Sequence, residues 1–168
     1  MKKLIDMLRK PSSENLDVIR GIRKVNRFDS NVTEELSFKL PYFVMEQLSP
    51  KRLKNGHLVY IQHFCLDIHV FPQETKELEL WKEGLKSDRN VEAIFLSAKG
   101  DVYHLLFCFM IPCKKEKEFR LFYREFAQDF YSRHGICDDL KSKECNPRRK
   151  ILISHDPEAR PPSVWRII

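Results

Sequence analysis

The sequence predicts an α+β fold: a mixed or antiparallel β-sheet with helices packed mainly on one of its faces. Three observations point there. Apolar residues alternate along 58–70 and 102–111, the period of a strand. Along 115–133 they recur every three or four residues, the period of a helix. The segments run strand, helix, strand, turn, strand, helix, strand, which is the order of a split β-α-β unit.

The elements follow from local signals. The opening MKKLIDMLRKP reads as a short helix, because Asp6, Arg9 and Lys10 break any signal-peptide core. Ser12 and Ser13 before Glu14-Asn15-Leu16 form an N-cap signal, and Leu16, Ile19 and Ile22 continue at helical spacing. Another short helix is expected after Ser30. Pro41 and Tyr42-Phe43-Val44-Met45 read as extended chain, and 51–56 as a polar loop.

Residues 58–70 then form a long strand in which FCLDIHV (64–70) is expected to be central. A helix over 75–86 turns Leu78 and Trp81 inward. Strands follow over 91–96 and 102–111, joined by a turn over 97–101. The helix over 115–133 puts Phe119, Phe122, Tyr123, Phe126 and Phe130 on one apolar face, and Gly135 ends it. A last strand covers 149–154, and the tail after Pro157 is irregular. The whole reads as one domain over 1–168, with a helical segment over about 1–37 and a core over about 38–160.

Composition bounds the function. At 168 residues and 42% hydrophobic content, with twelve phenylalanines, the chain can bury a real core and is not disordered. No apolar run reaches the roughly 18 residues that span a bilayer. Five cysteines without a C-x-x-C give no zinc-ribbon or redox motif, and read as reduced thiols in a cytoplasmic protein. A net charge of +6 is compatible with a polyanionic partner. Basic residues gather at Lys114, Lys115 and Lys117, and again over 141–150.

Strand alternation separates the candidate chemistry from the core. In 58–70, Phe64, Leu66 and Ile68 face the helices, and His63, Cys65, Asp67 and His69 face an open side. In 102–111 His104, Leu106 and Cys108 share one face, so His104 approaches the Asp67/His69 row if the strands are neighbours. Two ligands at i and i+2 can share a metal ion, and an imidazole suits Mn²⁺ better than Mg²⁺. In the turn, Ser97, Lys99 and the backbone beside Gly100 are candidates to grip a phosphate. Arg148 and Arg149 lead into the last strand, and Asp156 offers a second carboxylate at its end. Pro157 gives Asp156 a second role, capping a turn.

Four segments occur in a definite order: Phe38-Lys39-Leu40-Pro41, Leu66-Asp67-Ile68-His69, Ser97-Ala98-Lys99-Gly100 and Leu152-Ile153-Ser154-His155-Asp156-Pro157. The series resembles the VirE N-terminal-type domain of bacterial mobile-element proteins, a divergent branch of the archaeo-eukaryotic primase superfamily. Those domains carry an LP segment, a D-I-D strand, an S-P-S-G-x-G turn and a closing S-R-x-x-F-L-S-Y-D-P.

The resemblance implies a core like that of primases and RNA-recognition modules, with DNA and nucleoside triphosphate as ligands. It places catalytic Mg²⁺ or Mn²⁺ on Asp67, His69 and Asp156. Nucleotide or phosphate contacts fall on Ser97, Lys99, Gly100, His104, Arg148 and Arg149. Three departures matter: His69 stands where the second acid is expected, the turn has one glycine rather than two, and 58–64 lacks the serine-glycine that precedes the acidic strand in those domains. The expected function is a catalytically degenerate primase-like domain. It would bind nucleic acid or nucleotide in replication or mobilisation of a mobile element, beside a replication or helicase partner. The alternatives are an active metal-dependent nucleotidyltransferase and a non-enzymatic interaction module.

Overall fold

A computed structural model describes residues 2–25, 29–45, 61–70, 82–136, 146–147, 149–157 and 159. The first part of the helix expected over 75–86, residues 75–81, lies outside these residues, as do the loop over 51–56, the tail after 159 and Arg148. The fold is α+β. Its helices are α1 (Lys2–Arg9), α2 (Ser13–Lys24), α3 (Ser30–Ser37), α4 (82–87) and α5 (Glu116–Arg133). Its strands are β1 (Tyr42–Val44), β2 (Ile61–His69), β3 (Ala93–Leu96), β4 (Val102–Cys113) and β5 (Lys150–Leu152).

The local signals act as expected. The Ser12 side chain accepts the Asn15 N–H at 3.3 Å and starts α2. Asp29 does the same for α3 through the Val32 N–H at 3.2 Å. Helix α5 begins with Glu116 and Glu118, which complement the positive end of its dipole. It closes on Gly135, whose φ of 63° lets the Ile136 N–H reach back to Tyr131 O at 2.9 Å.

Strands β2, β4 and β3 form one antiparallel sheet in that order, so β4 and not β2 is the middle strand. The FCLDIHV strand lies at an edge of the described sheet. Its register sets Asp67 opposite His104 and His63 opposite Cys108. The last strand does not join this sheet. Instead, β5 pairs antiparallel with β1 in a separate ribbon, with Phe43 opposite Ile151.

One face of the sheet packs on α5. Phe64, Leu66, Ile68, Leu105 and Phe107 meet Phe119, Tyr123 and Phe130, with Phe64 stacked on Phe107 at 5.1 Å. Phe122, expected on this apolar face, is instead 55% exposed. It sits at the margin of the stripe, next in sequence to the buried Tyr123.

The other face, expected to be open, is covered. Cys65, Ala93, Phe95 and Leu106 are buried with Leu4, Ile5 and Leu8 of α1 and with Phe43 and Ile151 of the ribbon. The physical reason lies in composition. That face carries enough apolar area at Phe95 and Leu106 to demand a second cover, and the amphipathic α1 supplies it. Among the described residues no helix is long and apolar enough to cross a membrane.

Candidate functional site

Asp67 is the centre of the polar residues on the covered face. Its residue is only 8% exposed. Arg149 grips it with two parallel bonds, Nη1 to Oδ2 at 2.6 Å and Nη2 to Oδ1 at 2.7 Å. His104, directly opposite on β4, places Nδ1 2.8 Å from Oδ1. An ionised carboxylate only accepts, so Nδ1 carries the hydrogen. The Cys65 thiol completes the surround at 3.5 Å from Oδ1.

Burial by itself would favour the neutral acid. The bonds from His104 and Arg149, with their charges, overcome it and hold the Asp67 carboxyl far below the usual range. Burial pushes the Cys65 thiol well up, so it stays protonated. Beneath the strand, Tyr131 Oη donates to Asp67 O at 3.0 Å and Tyr123 Oη to Cys65 O at 3.4 Å. These tyrosines of α5 satisfy carbonyls that a purely apolar helix would leave unpaired.

The expected metal ligands do not come together. His69 is exposed at the end of β2. Asp156 Oδ2 accepts the Leu96 N–H at 2.9 Å, on the outer edge of β3. Strand β4 lies between β3 and β2, so Asp156, outside β3, is more than two strand spacings from β2 and Asp67, upward of roughly 10 Å. In the turn after it, the Asp156 backbone carbonyl accepts the Ala159 N–H at 3.0 Å, a bond that any residue there could make and not the expected side-chain cap.

The turn is closed on itself. Ser97 Oγ accepts the N–H groups of Gly100, Asp101 and Val102 at 3.1 to 3.3 Å and donates to Asp101 Oδ1 at 2.9 Å. Gly100 has φ 78°, the left-handed conformation a side chain resists. The N–H groups expected to hold a phosphate thus already have an acceptor, while Lys99 points to solvent. Ser97→Ala is expected to cost about 1–3 kcal/mol in urea unfolding, because the Asp101 and Val102 N–H groups lose the Oγ acceptor, while the Gly100 N–H keeps the Ser97 carbonyl at 3.0 Å. Unchanged stability with lost phosphate affinity would restore the phosphate-gripping role.

Arg23 was not legible as a site residue. From α2 it reaches Ala98 O, Ser97 O, Ser154 Oγ and His155 O at 2.9 to 3.3 Å. It pins the turn to the segment after β5. Burial lowers its pKa, and the nearby Asp156 charge works against that. No short-range pattern marks it; its partners lie 74 to 132 residues away.

A family model for the BT4734-like N-terminal domain matches residues 35–160, well over half the chain. The chain belongs to that family. No curated protein and no solved structure matches it. In this BT4734-like domain the matched stretch holds Asp67, His104 and Arg149, while α1 and Arg23 precede it.

The residues present do not fit the Mg²⁺ or Mn²⁺ site that the motif series implies. Both oxygens of Asp67 are held by a guanidinium, which a cation would have to displace. Among the described residues of the BT4734-like domain, two groups bring three ligand atoms within 4.8 Å: Cys65, Asp67 and His104, and separately His63, Glu92 and Cys108. The first contains the Arg149 ion pair. The second contains none of the expected ligands.

Proposed function

We propose that this BT4734-like domain is a catalytically silent, primase-like module that binds single-stranded nucleic acid in the replication or mobilisation of a mobile element. Asp67 carries the first part. Its carboxylate is saturated by Arg149 and His104, so the acid that a primase would give to metal instead holds β2 to the segment entering β5. His69, in the place of the second acid, is turned to solvent.

Support for nucleic acid comes from the corner where β4 meets α5. Met110, Ile111 and Phe122 are 95%, 84% and 55% exposed. Lys114, Lys115, Lys117 and Arg124 are exposed beside them in sequence. Exposed aromatic and apolar surface interleaved with cations suits stacked bases and their phosphates. The net charge of +6 agrees in sign. Kinship with the VirE N-terminal-type and primase domains is part of this proposal; the motif series and the α+β order support it.

Anisotropy of a labelled single-stranded oligonucleotide tests the reading. Binding is expected at low salt. Replacing Lys114, Lys115 and Lys117 by Ala should reduce the slope of log affinity against log salt by about 2, from roughly 0.7 per lost phosphate contact. No binding at low salt, or an unchanged slope, would sink the nucleic-acid reading. Manganese-dependent nucleotide incorporation by the unaltered chain would return the catalytic one.

A further inference from the structure

A second polar cluster on the same sheet face has no part in the Asp67 clasp. His63 on β2 and Cys108 on β4 are direct cross-strand partners. Glu92, just before β3, is held beside them by its backbone N–H on Leu106 O at 2.8 Å. One ligand atom from each residue lies within 4.8 Å of the other two. The cluster is four residues along β2 from Asp67, roughly 13 Å at the rise of a strand.

Two of its atoms are left without hydrogen-bond partners, although the Cys108 thiol bonds to the Phe109 carbonyl at 3.6 Å and to the Gln62 and Glu92 side chains. His63 is 8% exposed, and its Nδ1 and Glu92 Oε2 are buried with no partner among the described residues. Nε2 of His63 stands 3.6 Å from Glu92 Oε2, too far for a hydrogen bond. It is nonetheless close to the separation of two ligands around a tetrahedral ion.

Burial drives all three groups toward their neutral forms. It pushes His63 down to about 4, raises Glu92, and lifts the Cys108 thiol to about 11. A divalent cation bound through His63 Nε2 would reverse this for the acid and the thiol and give the orphaned Glu92 Oε2 a partner.

The geometry points to a zinc-type site, in which His63, Glu92 and Cys108 bind one divalent transition-metal ion and leave a fourth position open. One imidazole nitrogen, one carboxylate oxygen and one thiolate sulfur form a borderline-soft set that suits Zn²⁺ or Co²⁺. Mg²⁺ and Ca²⁺ prefer oxygen alone. Cys108 enters as thiolate, releasing its proton on binding. The Gln62 side chain, hydrogen-bonded to Cys108, would orient the sulfur from outside the ligand set.

The full chain, stripped with a chelator and titrated with Co²⁺, tests this. One ion per chain is expected, with a near-ultraviolet sulfur-to-cobalt charge-transfer band that added Zn²⁺ abolishes. Cys108→Ser should remove the band, and Glu92→Gln should weaken Zn²⁺ affinity at least tenfold. Cys65→Ser should leave both unchanged. Circular dichroism confirms that each variant is folded, and the result on the unaltered chain needs no variant. No charge-transfer band in the unaltered chain would overturn the site, as would a band surviving Cys108→Ser or one lost with Cys65→Ser.

Discussion

A chain lacking residues 2–10 is expected to unfold at much lower urea than the full chain and to bind a hydrophobic dye before it does. Leu4, Ile5 and Leu8 are 8%, 1% and 0% exposed. Burying each contributes about 1.5–3 kcal/mol, so the three supply roughly 4.5–9 kcal/mol before the entropy of ordering α1. Whole domains are stable by only about 5–15 kcal/mol. Two long-range bonds go with it: Asp156 N–H to Leu8 O at 3.0 Å, and Arg9 Nε to Ala159 O at 2.6 Å. Phe43, Phe95 and Ile153 would lose their cover.

Urea midpoints for the full and shortened chains decide the matter. Equal midpoints would mean that α1 does not build the second core. Leu8→Ala is the milder form, with an expected loss of about 2–5 kcal/mol. The same reasoning applies to any domain trimmed to the family-matched residues 35–160, since α1 and α2 lie outside them.

Arg149→Ala is the second large effect, with an expected loss of about 3–5 kcal/mol, because it removes the guanidinium that balances the buried Asp67 charge and leaves only the His104 and Cys65 bonds to hold it. Side-chain exposures of 14% and 11% leave little water to take over. Replacing both partners, as Asp67→Leu with Arg149→Met, should recover most of that loss, since the desolvation cost disappears with the charges. A double variant no more stable than Arg149→Ala alone would show that the pair is not acting as a buried ion pair.

Asp67 also sets a pH dependence. Its folded pKa is depressed, so the unfolded chain takes up the proton first as pH falls. The stabilisation is fully present above the unfolded value near 3.8 and is lost as pH drops below it toward the folded value. Urea midpoints should therefore fall steeply below about pH 4, and the double variant should flatten that fall. A double variant with the same acid slope as the unaltered chain would assign the slope to other carboxylates.

Some of this was readable along the chain. The 3.6-residue period of Phe119, Tyr123, Phe126 and Phe130 located α5, and Gly135 its end. Alternation in 64–70 and 102–111 located β2 and β4, and it put Asp67 and His104 on one face. Ser12 marked α2 because a cap is a contact between residues three apart. Each of these is a local interaction, so each leaves a local pattern.

The site was legible only in part. Face alternation marks Asp67 and His104 as candidates, and the basic run before the last strand marks Arg149, but as a phosphate contact rather than as the partner of Asp67. That pair spans 82 residues, and no periodicity connects its members. Arg23 left no signal at all. Asp156 looked like a metal ligand because its distance from Asp67 could not be seen; the strand order β2-β4-β3 separates them. The His63, Glu92 and Cys108 cluster was hidden for the same reason, since Glu92 precedes a strand whose neighbour is chosen by the fold.

By itself, then, the sequence determined which segments are helix and strand and which residues share a strand face, because backbone geometry repeats every 3.6 or 2 residues. Only the tertiary structure decided that β4 is the middle strand, that α1 and the β1–β5 ribbon close the supposedly open face, and that Arg149 takes the Asp67 carboxylate. Those outcomes depend on burying apolar area and pairing buried charge between distant parts of the chain. A buried carboxylate takes whichever cation the fold brings within reach, and here that cation is a guanidinium.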